Sequence, residues 1–435
     1  MVGGLLAEME AGEARHRARK AVDRMRLEAI LGTMALDLFM AAGEDLDRWL
    51  AYSRRNEDYE VKQRRYVHPD ASRQIAVQAA AFLTAAGYAD SKAGSYKRSE
   101  IGGHGFRARL RATSKLIALF NARGVGRADI GVREGAELVV LKGPPARRGG
   151  PKPLVGYDDN PTTHGMREGL RAWAAVANAH NIQPAERLSG PSERSLEDAD
   201  DGAGAIIARE RARLYRVFNN GSWTAGGRFY GGWWMTMPSV QRARITIDGE
   251  PVVELDFKSL HPRLAYHLAG QPLAPDDDPY DLGGRFAAVD RSVLKVAFNQ
   301  LLAVGPEARI RKPAHTALPR GMAYRDLLEA LERKHQPIQS WLRRARALEL
   351  QHLDSQIAAG VLGYFTHSLK RPVLPIHDSF VVAARDEYKL GESMFLAYRA
   401  VTADLSGVSA WPEIKGWTPG AGIEEKVLRA VQRVW

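Results

Sequence analysis

The chain has 435 residues, of which 45% are hydrophobic and 26% charged, as expected for a folded protein with a sizeable core. Its net charge of +11 favours a polyanionic partner such as nucleic acid, because each Lys or Arg set against a phosphate releases a counterion. A basic chain that binds no nucleic acid is the alternative. The absence of cysteine excludes disulfides, thiolate zinc sites and a cysteine nucleophile.

The sequence contains no candidate for a membrane-spanning helix, which needs roughly 18 uninterrupted apolar residues. The N-terminal segment carries early acidic residues and lacks the apolar core of a secretory signal. We therefore expect a soluble, cytoplasmic protein with no membrane partner.

Residues 1–150 are predicted to form a mostly helical, basic region that binds nucleic acid. Apolar residues recur at three- and four-residue spacing over about 14–55, and a second helix is indicated over 70–85. Thr113 can cap a third helix that ends near Gly124.

A β-hairpin is predicted after these helices, with strands at 129–133 and 138–141 and a turn at Glu134-Gly135. Helices followed by a hairpin fit a winged-helix unit on a duplex. A small helical domain with a solvated basic face is the alternative. The basic residues concerned are Arg107, Arg109, Arg111 and Lys115.

Residues 151–209 are predicted to be a helical linker or thumb-like segment. A Pro- and Gly-rich stretch over 142–156 leads into it, and one helix is expected from Thr162 to about His180. The polar, acidic stretch over 186–204 indicates a surface loop.

The region 210–435 contains the residues that can carry chemistry, beginning with a strand that ends at Asp256. The strand is indicated by the β-branched, alternating stretch over 252–257, which places Glu254 and Asp256 on one face. Pro262 follows shortly afterwards and stops strand pairing. Asp256 is therefore expected at a strand end, where a metal ion and a triphosphate can reach it.

A second carboxylate is predicted at the tip of a hairpin. Two short apolar runs flank His377-Asp378 within residues 373–382. A carboxylate beside such a buried strand is costly unless it is hydrated or coordinates a cation.

A cationic helix is predicted between these two carboxylates in the sequence. Asp290 can cap it, and Arg291, Lys295 and Asn299 then fall at i, i+4 and i+8 on one stripe. A triphosphate along this stripe would turn the repulsion of the two cations into attraction. A solvated basic face is the alternative.

Together these features predict phosphoryl transfer assisted by two metal ions. Two carboxylates on separate strands can hold two divalent ions about 3.5–4 Å apart. A cationic helix supplies the remaining positive charge, because the transition state of phosphoryl transfer is stabilised mainly by positioning and electrostatics.

The order of these motifs resembles that of the family A DNA polymerases and the phage-type single-subunit RNA polymerases. Asp256 and the residues after it are similar to motif A, Arg291-x3-Lys295 to motif B on the fingers helix, and His377-Asp378 to motif C. The resemblance covers about 210–435. It implies an α+β fold with a right-hand polymerase palm and compact helical fingers, preceded by the mostly helical basic region.

The resemblance also implies roles for individual residues. Asp256 and Asp378 would be the catalytic metal ligands for Mg²⁺, with Mn²⁺ as a substitute. Arg291 and Lys295 would contact the incoming nucleoside triphosphate, together with Asn299 on the same stripe. His377 would touch the primer end. The helix at Gln356-Ile357-Ala358-Ala359 resembles the segment that precedes motif C, and Gln356 is a further candidate for primer or template contact.

The sugar preference is left open by the sequence. The fifth residue after the motif A aspartate, where the DNA enzymes place a bulky side chain against the sugar, is His261. Its ring is larger than glycine and smaller than tyrosine, and its bulk favours deoxynucleotides over ribonucleotides.

Three departures from the family pattern are visible. The Tyr-Gly expected at the end of the fingers helix is replaced by Ala303-Val304-Gly305. The two palm aspartates are only 122 positions apart (378 − 256), so the fingers must be compact. We find no convincing Asp-x-Glu exonuclease pattern upstream, which predicts no proofreading and suits a phage or mobile-element enzyme.

A segment rich in aromatic residues and glycines precedes the first aspartate, over 216–250. Arg228 can bind phosphate and Tyr230 can stack on a base, so this segment is a candidate for template or primer contact. The alternative is that its aromatic residues, Trp233 and Trp234 among them, are core anchors beneath a tight loop. The histidines show no zinc-ligand spacing, so no zinc is predicted.

We therefore predict a nucleotidyltransferase that copies a DNA template from a DNA or RNA primer, with a DNA polymerase favoured. An RNA polymerase or primase that starts chains without a primer is the first alternative. A DNA-binding replication initiator with an inactive palm is the second.

Overall fold

The computed structural model of the protein describes residues 2–12, 17–59, 65–97, 104–131, 133, 135–147, 150–184, 212–271, 273–274, 276–314, 316–406 and 411–418. These residues form a mixed structure of helices and small sheets. Two compact units are present. The first comprises Met1–Pro161, Glu186–Arg213 and Gly231–Met237, and the second Thr162–Ala185, Leu214–Tyr230 and Pro238–Trp435.

The first unit combines four helices with short strands in its described part. Its helices are α1 (Val2–Ala11), α2 (Ala21–Glu44), α3 (Arg73–Ala85) and α4 (Ser114–Asn121). Its strands are β1 (Leu50–Tyr52), β2 (Ala89–Lys92), β3 (Ser95–Lys97), β4 (His104–Phe106), β5 (Ala108–Ala112) and β6 (Val139–Leu141).

A three-stranded antiparallel sheet of order β1-β5-β2 packs against α2 and α3, and α4 packs against α2. Side chains from all of these elements form one core, in which Leu31, Leu83, Leu110 and Phe120 are at most 2% exposed. β3 and β4 pair with each other, so β2–β5 forms a long hairpin. The predicted helices over 14–55 and 70–85 correspond to α2 and α3, which confirms both with shorter bounds.

The hairpin predicted over 129–141 is wrong in its first strand. Arg127–Asp129 forms a 3₁₀ turn, and Ile130 and Gly131 pair with no strand in the part of the chain that is described; Glu134 lies outside it. Only β6 matches the predicted second strand. Asp129 explains the difference, since its side chain accepts a 2.9 Å hydrogen bond from the backbone N–H of Gly126 and closes the turn.

The basic face predicted for this unit is partly neutralised. Arg111 forms ion pairs with Asp47 and Asp90, and Arg107 with Asp58 at 3.2 Å. The winged-helix interpretation stays a prediction. Thr113 lies at the N-cap of α4, but its hydroxyl donates to the carbonyl of Gly87 instead of capping the helix.

The second unit contains seven helices among the described residues. They are α5 (Pro161–Asn178), α6 (Ser239–Arg242), α7 (Leu260–Leu268), α8 (Arg291–Ala303), α9 (Tyr324–Lys334), α10 (Ala347–Gly363) and α11 (Glu387–Ser406). Its strands are β7 (Ile182–Gln183), β8 (Tyr215–Asn219), β9 (Ser222–Tyr230), β10 (Thr246–Ile247), β11 (Glu250–Asp256), β12 (Leu374–Ile376) and β13 (Ser379–Ala383).

An antiparallel sheet of order β12-β13-β11-β10-β7 forms the centre of this unit. β13 is fully buried because its residues Phe380, Val381 and Val382 are apolar and are covered by neighbours on both faces. α11 packs against β11 and β13, and α10 packs against α11, α7 and β9. The helix predicted from Thr162 is α5, whose Trp173 donates a 2.9 Å hydrogen bond to the carbonyl of Val373 beside β12.

Within the described residues, no helix is both long and apolar enough to cross a membrane. The surface loop predicted over 186–204 lies outside those residues.

Candidate active site

Asp256 and Asp378 lie side by side at the end of the central sheet. β11 pairs with β13 so that Asp256 is opposite Ser379, the residue after Asp378. The backbone N–H of Phe257 donates a 3.3 Å hydrogen bond to the carbonyl of Asp378. Both aspartates line one cavity of about 990 Å³. The strand end and the hairpin tip predicted from the sequence are therefore brought to one point.

The hairpin tip is a two-residue turn, His377-Asp378, between β12 and β13. His377 adopts a left-handed backbone conformation with φ 56°, which costs a non-glycine residue about 1–2 kcal/mol. Its ring meets Tyr230 edge to face, at 5.7 Å between ring centroids. His377 also lines the cavity, so the turn holds this ring and the Asp378 carboxylate at the same place.

The pKa of Asp256 is raised from 3.8 to about 7. Burial is the largest cause, because it removes water from the charged form, and repulsion by Asp378 is the second. Lys295 and Lys415 oppose the shift. A carboxylate in this condition gains most from a cation that replaces the lost water and neutralises both acids.

Asp256 and Asp378 are two carboxylates that the structure brings to this cavity, and magnesium binding by them stays a prediction. No group of three or more His, Cys, Asp or Glu side chains with metal-site geometry occurs among the described residues. Mg²⁺ usually keeps several waters and is bound through one or two carboxylates together with substrate phosphates. Asp256 and Asp378 supply that number of carboxylates, and the cavity has room for a nucleotide.

The cationic stripe of α8 faces the same cavity. Arg291, Lys295 and Asn299 all line it, as their spacing predicted. Asp290 caps the helix by accepting a 2.7 Å hydrogen bond from the backbone N–H of Ser292. The opposite face of α8 is buried, which fixes the rotation of the helix. Its buried residues are Leu294, Ala297, Phe298, Leu301 and Leu302.

Arg291 is held by the carboxylate of Asp278, from the loop that precedes α8. Its Nε donates to Asp278 at 2.9 Å and its Nη2 at 3.2 Å, and its guanidinium lies 4.8 Å from the ring centroid of Tyr280. The hydrogen bond to Asp278 is the main cause that raises the pKa of Arg291. A ligand phosphate must compete with Asp278 for this arginine.

His261 and Arg228 also line the cavity, and a third residue holds both. Asp354 of α10 is buried, with its Oδ2 2.7 Å from Nε2 of His261. Arg228 donates to the same carboxylate through Nε at 3.1 Å and through Nη2. The three side chains come from β9, α7 and α10, so no sequence spacing indicates this contact.

Gln356 gains no support as a contact for primer or template. It is exposed on α10 and is not part of the cavity lining, whereas Gln351 on the same helix is. Tyr230 contacts His377 and stacks on Tyr215 at 6.0 Å, which places it beside the hairpin tip.

The glycine- and aromatic-rich segment is partly structural. Trp233 and Trp234 are 4% and 0% exposed, which confirms the interpretation of these two as core anchors. Gly227, with φ +93°, allows β9 to approach α10, because a Cβ there would lie 2.7 Å from the Phe218 ring and 2.8 Å from Ser355 Oγ.

A strap formed by residues 411–418 supplies further lining residues that the sequence reasoning missed. Ile414 forms a β-bridge with Phe257, and the N–H of Lys415 donates a 2.9 Å hydrogen bond to the carbonyl of Asp256. Glu413 forms ion pairs with Lys258 and Arg263. Charged and apolar residues alternate in this strap, and such alternation is the sequence pattern that indicates an extended segment paired with a strand.

The chain matches no protein-family model, and comparisons with the curated proteins and with the solved structures give no match either. The function is therefore inferred from the cavity itself.

Proposed function

We propose that this protein is a template-directed nucleotidyltransferase that extends a primer with nucleoside triphosphates. The observation that carries the proposal is the convergence of Asp256 and Asp378 on one cavity that also receives Arg291 and Lys295. Acidic and basic groups meet there as two-metal phosphoryl transfer requires, with acids for the ions and cations for the triphosphate.

In this proposal the sheet β12-β13-β11-β10 serves as a palm, and α8 with α9 as compact fingers. Asp256 and Asp378 would hold two magnesium ions. When bound, the ions activate the primer 3′-hydroxyl and stabilise the charge on the leaving pyrophosphate. The 3′-oxygen forms a bond to the α-phosphorus, the bond from that phosphorus to the bridging oxygen breaks, and the hydroxyl proton passes to solvent.

The chain's own residues position the reactants. Lys295 and Arg291 neutralise the triphosphate, and Arg291 leaves Asp278 to do so. The His261 ring meets the sugar, where its bulk favours a deoxynucleotide. His377 and Tyr230 lie beside the primer end. Asp256 must be ionised to hold a cation, and the nearby Lys295 and Lys415 lower its pKa toward that state.

The test is a primer-extension gel on a DNA template. The wild type, Asp256→Ala and Asp378→Ala are each given dNTPs or rNTPs with magnesium, with manganese or with a chelator. Asp158→Ala is the matched control, because Asp158 is exposed and belongs to the first unit. We expect metal-dependent extension by the wild type and by Asp158→Ala, and none by the two site variants. Full extension by either site variant would overturn the proposal.

The same gel separates the alternatives. Product from rNTPs on a template without primer would identify an RNA polymerase or primase. Tight DNA binding in a native gel, with no incorporation under any metal, would identify a DNA-binding initiator with an inactive palm.

A further inference from the structure

Asp354 is a buried carboxylate that joins two side chains of the cavity wall. Its side chain is 1% exposed, whereas Arg228 and His261 are each 18% exposed. It accepts hydrogen bonds from Arg228 Nε at 3.2 Å and 3.1 Å and lies 2.7 Å from His261 Nε2. Since Arg228 is on β9, His261 on α7 and Asp354 on α10, the carboxylate connects three separate elements.

The contact fixes the orientation and tautomer of the His261 ring. A carboxylate only accepts hydrogen bonds, so Nε2 of His261 carries the hydrogen, and Arg228 Nη2, which lies 3.2 Å from the same nitrogen, donates to Asp354 instead. Burial would raise the pKa of Asp354, but the hydrogen bond from His261 and the charge of Arg228 outweigh it and hold the pKa below its usual value. Asp354 is therefore ionised at neutral pH and keeps both partners in place.

If Asp354 only stabilised the fold, its ion pair with Arg228 would be sufficient. The contact with His261 is additional. It holds a ring that lines the cavity and that lies on α7, the helix that follows Asp256. Without Asp354 the ring would keep only the 3.2 Å contact between its Nε2 and Arg228 Nη2, and other rotamers would change the shape of the cavity at that point.

We propose that Asp354 is a positioning residue that sets the sugar selectivity of this site by holding the His261 ring. The inference rests on the proposed function, since it assigns a sugar to the space beside the ring. Discrimination by an enzyme pocket depends on groups held rigidly against the competing substrate. Asp354 provides that rigidity without touching the nucleotide.

The test measures kcat/KM for one dNTP and for the matching rNTP in primer extension. In Asp354→Asn one of the two carboxylate oxygens is replaced by an NH2 group, which cannot accept a hydrogen bond. Arg228 and His261 both donate at this position, so the His261 ring loses its charge-assisted hydrogen bond. We expect the ratio of the two kcat/KM values to change by about tenfold or more, the size of a lost charge-assisted hydrogen bond. The change should appear mainly in KM, because the reacting groups are untouched.

A double-mutant cycle shows whether the effect passes through His261. His261→Ala should shift the ratio by itself, and adding Asp354→Asn to it should cause no further change. Ser355→Ala is the control for packing, because Ser355 is buried next to Asp354 and bonds to Gly226 and Arg216 but not to His261. It should lower stability and leave the ratio unchanged.

Loss of Asp354 leaves Arg228 partly buried without its carboxylate partner, which can prevent folding. A comparison of Arg228→Gln with Arg228→Gln/Asp354→Asn avoids this unpaired charge. It measures the effect of Asp354→Asn on the same ratio of kcat/KM values. The inference would be overturned if Asp354→Asn left the ratio of kcat/KM values unchanged, or if it changed that ratio equally with and without His261. Extension by the wild type would still uphold the proposed function in that case. No extension by the wild type would overturn the proposed function itself, and the inference with it.

Discussion

The backbone N–H of Phe257 donates a hydrogen bond to the backbone carbonyl of Asp378, at 3.3 Å between nitrogen and oxygen. This bond joins the residue after one aspartate to the other aspartate. Main-chain atoms therefore set the separation of the two carboxylates, and side-chain substitutions at 256 and 378 should leave the frame of the site intact.

The first prediction concerns Asp256→Asn and Asp378→Asn. Each variant keeps the size of the side chain and the backbone bond, but it removes a ligand charge. We expect primer extension to fall by about 10²–10³-fold or more, as loss of several kcal/mol of charge stabilisation implies. Single-turnover extension measures the fall, and circular dichroism checks the fold. Near-normal rates in either variant would contradict the assignment.

The second prediction concerns stability and pH in the absence of divalent cations. The pKa of Asp256 is about 7 in the folded state, against a reference of 3.8. Between these values the folded state holds a proton that the unfolded state has lost, so this group makes the free energy of unfolding fall as pH rises, until it levels off above pH 7. Asp256→Asn should lack this fall.

Urea unfolding at about pH 4.5, 6 and 8 measures the effect. The stability of Asp256→Asn relative to wild type should increase from the lowest to the highest pH. Asp158→Asn, at an exposed position, should follow the wild type throughout. A constant difference between Asp256→Asn and wild type across this range would contradict the raised pKa.

The third prediction concerns magnesium without any reaction. A ligand that binds only the folded state adds RT ln(1 + [L]/Kd) to stability, about 2.7 kcal/mol at 100 times Kd. Mg²⁺ should therefore raise the Tm of the wild type, and more at pH 8 than at pH 6, because protons compete for Asp256 below its pKa of about 7. Asp256→Asn and Asp378→Asn should show little or no rise. An equal rise in all three proteins would place the ion elsewhere.

The fourth prediction concerns Asp278→Asn. The ion pair of Arg291 with Asp278 is half exposed, and such pairs contribute about 0.2–1 kcal/mol. A triphosphate that recruits Arg291 must break this pair, so Asp278→Asn should tighten triphosphate binding by about two- to fivefold. Arg291→Ala should weaken it and abolish the effect of Asp278→Asn. Fluorescence titration with a labelled triphosphate measures both, and unchanged affinity in both variants would separate Arg291 from the nucleotide.

The fifth prediction concerns Gly227→Ala. A methyl group there would lie 2.7 Å from Phe218 and 2.8 Å from Ser355, at a φ of +93°. We expect a loss of about 1–3 kcal/mol in the free energy of unfolding from overpacking and backbone strain. Gly165→Ala, within α5 and with no atom near the added methyl, should instead be neutral or stabilising. Chemical denaturation measures both, and equal stabilities would contradict the close approach of β9 to α10.

Local patterns were sufficient where a residue's position depends on its own segment. Asp256 at a strand end, His377-Asp378 at a hairpin tip and the stripe from Arg291 to Asn299 all follow from periodicity and capping within a few residues. The failed strand at 129–133 shows the limit, because a side chain of Asp129 formed a competing turn. The role of Gln356 stays a prediction, since the resemblance of a segment does not determine which face of its helix lines the cavity.

The local sequence is enough to predict the elements and the chemistry that they can bear: two carboxylates, a cationic helix and a ring beside them. Which of these groups meet depends on the packing of the elements against one another. Asp278 reaches Arg291, Asp354 reaches both His261 and Arg228, and Lys415 pairs with the backbone of Asp256. These contacts join residues that are 13 to 159 positions apart (291 − 278 and 415 − 256). They depend on burial and on packing between elements, and neither has a period that can be found along the chain.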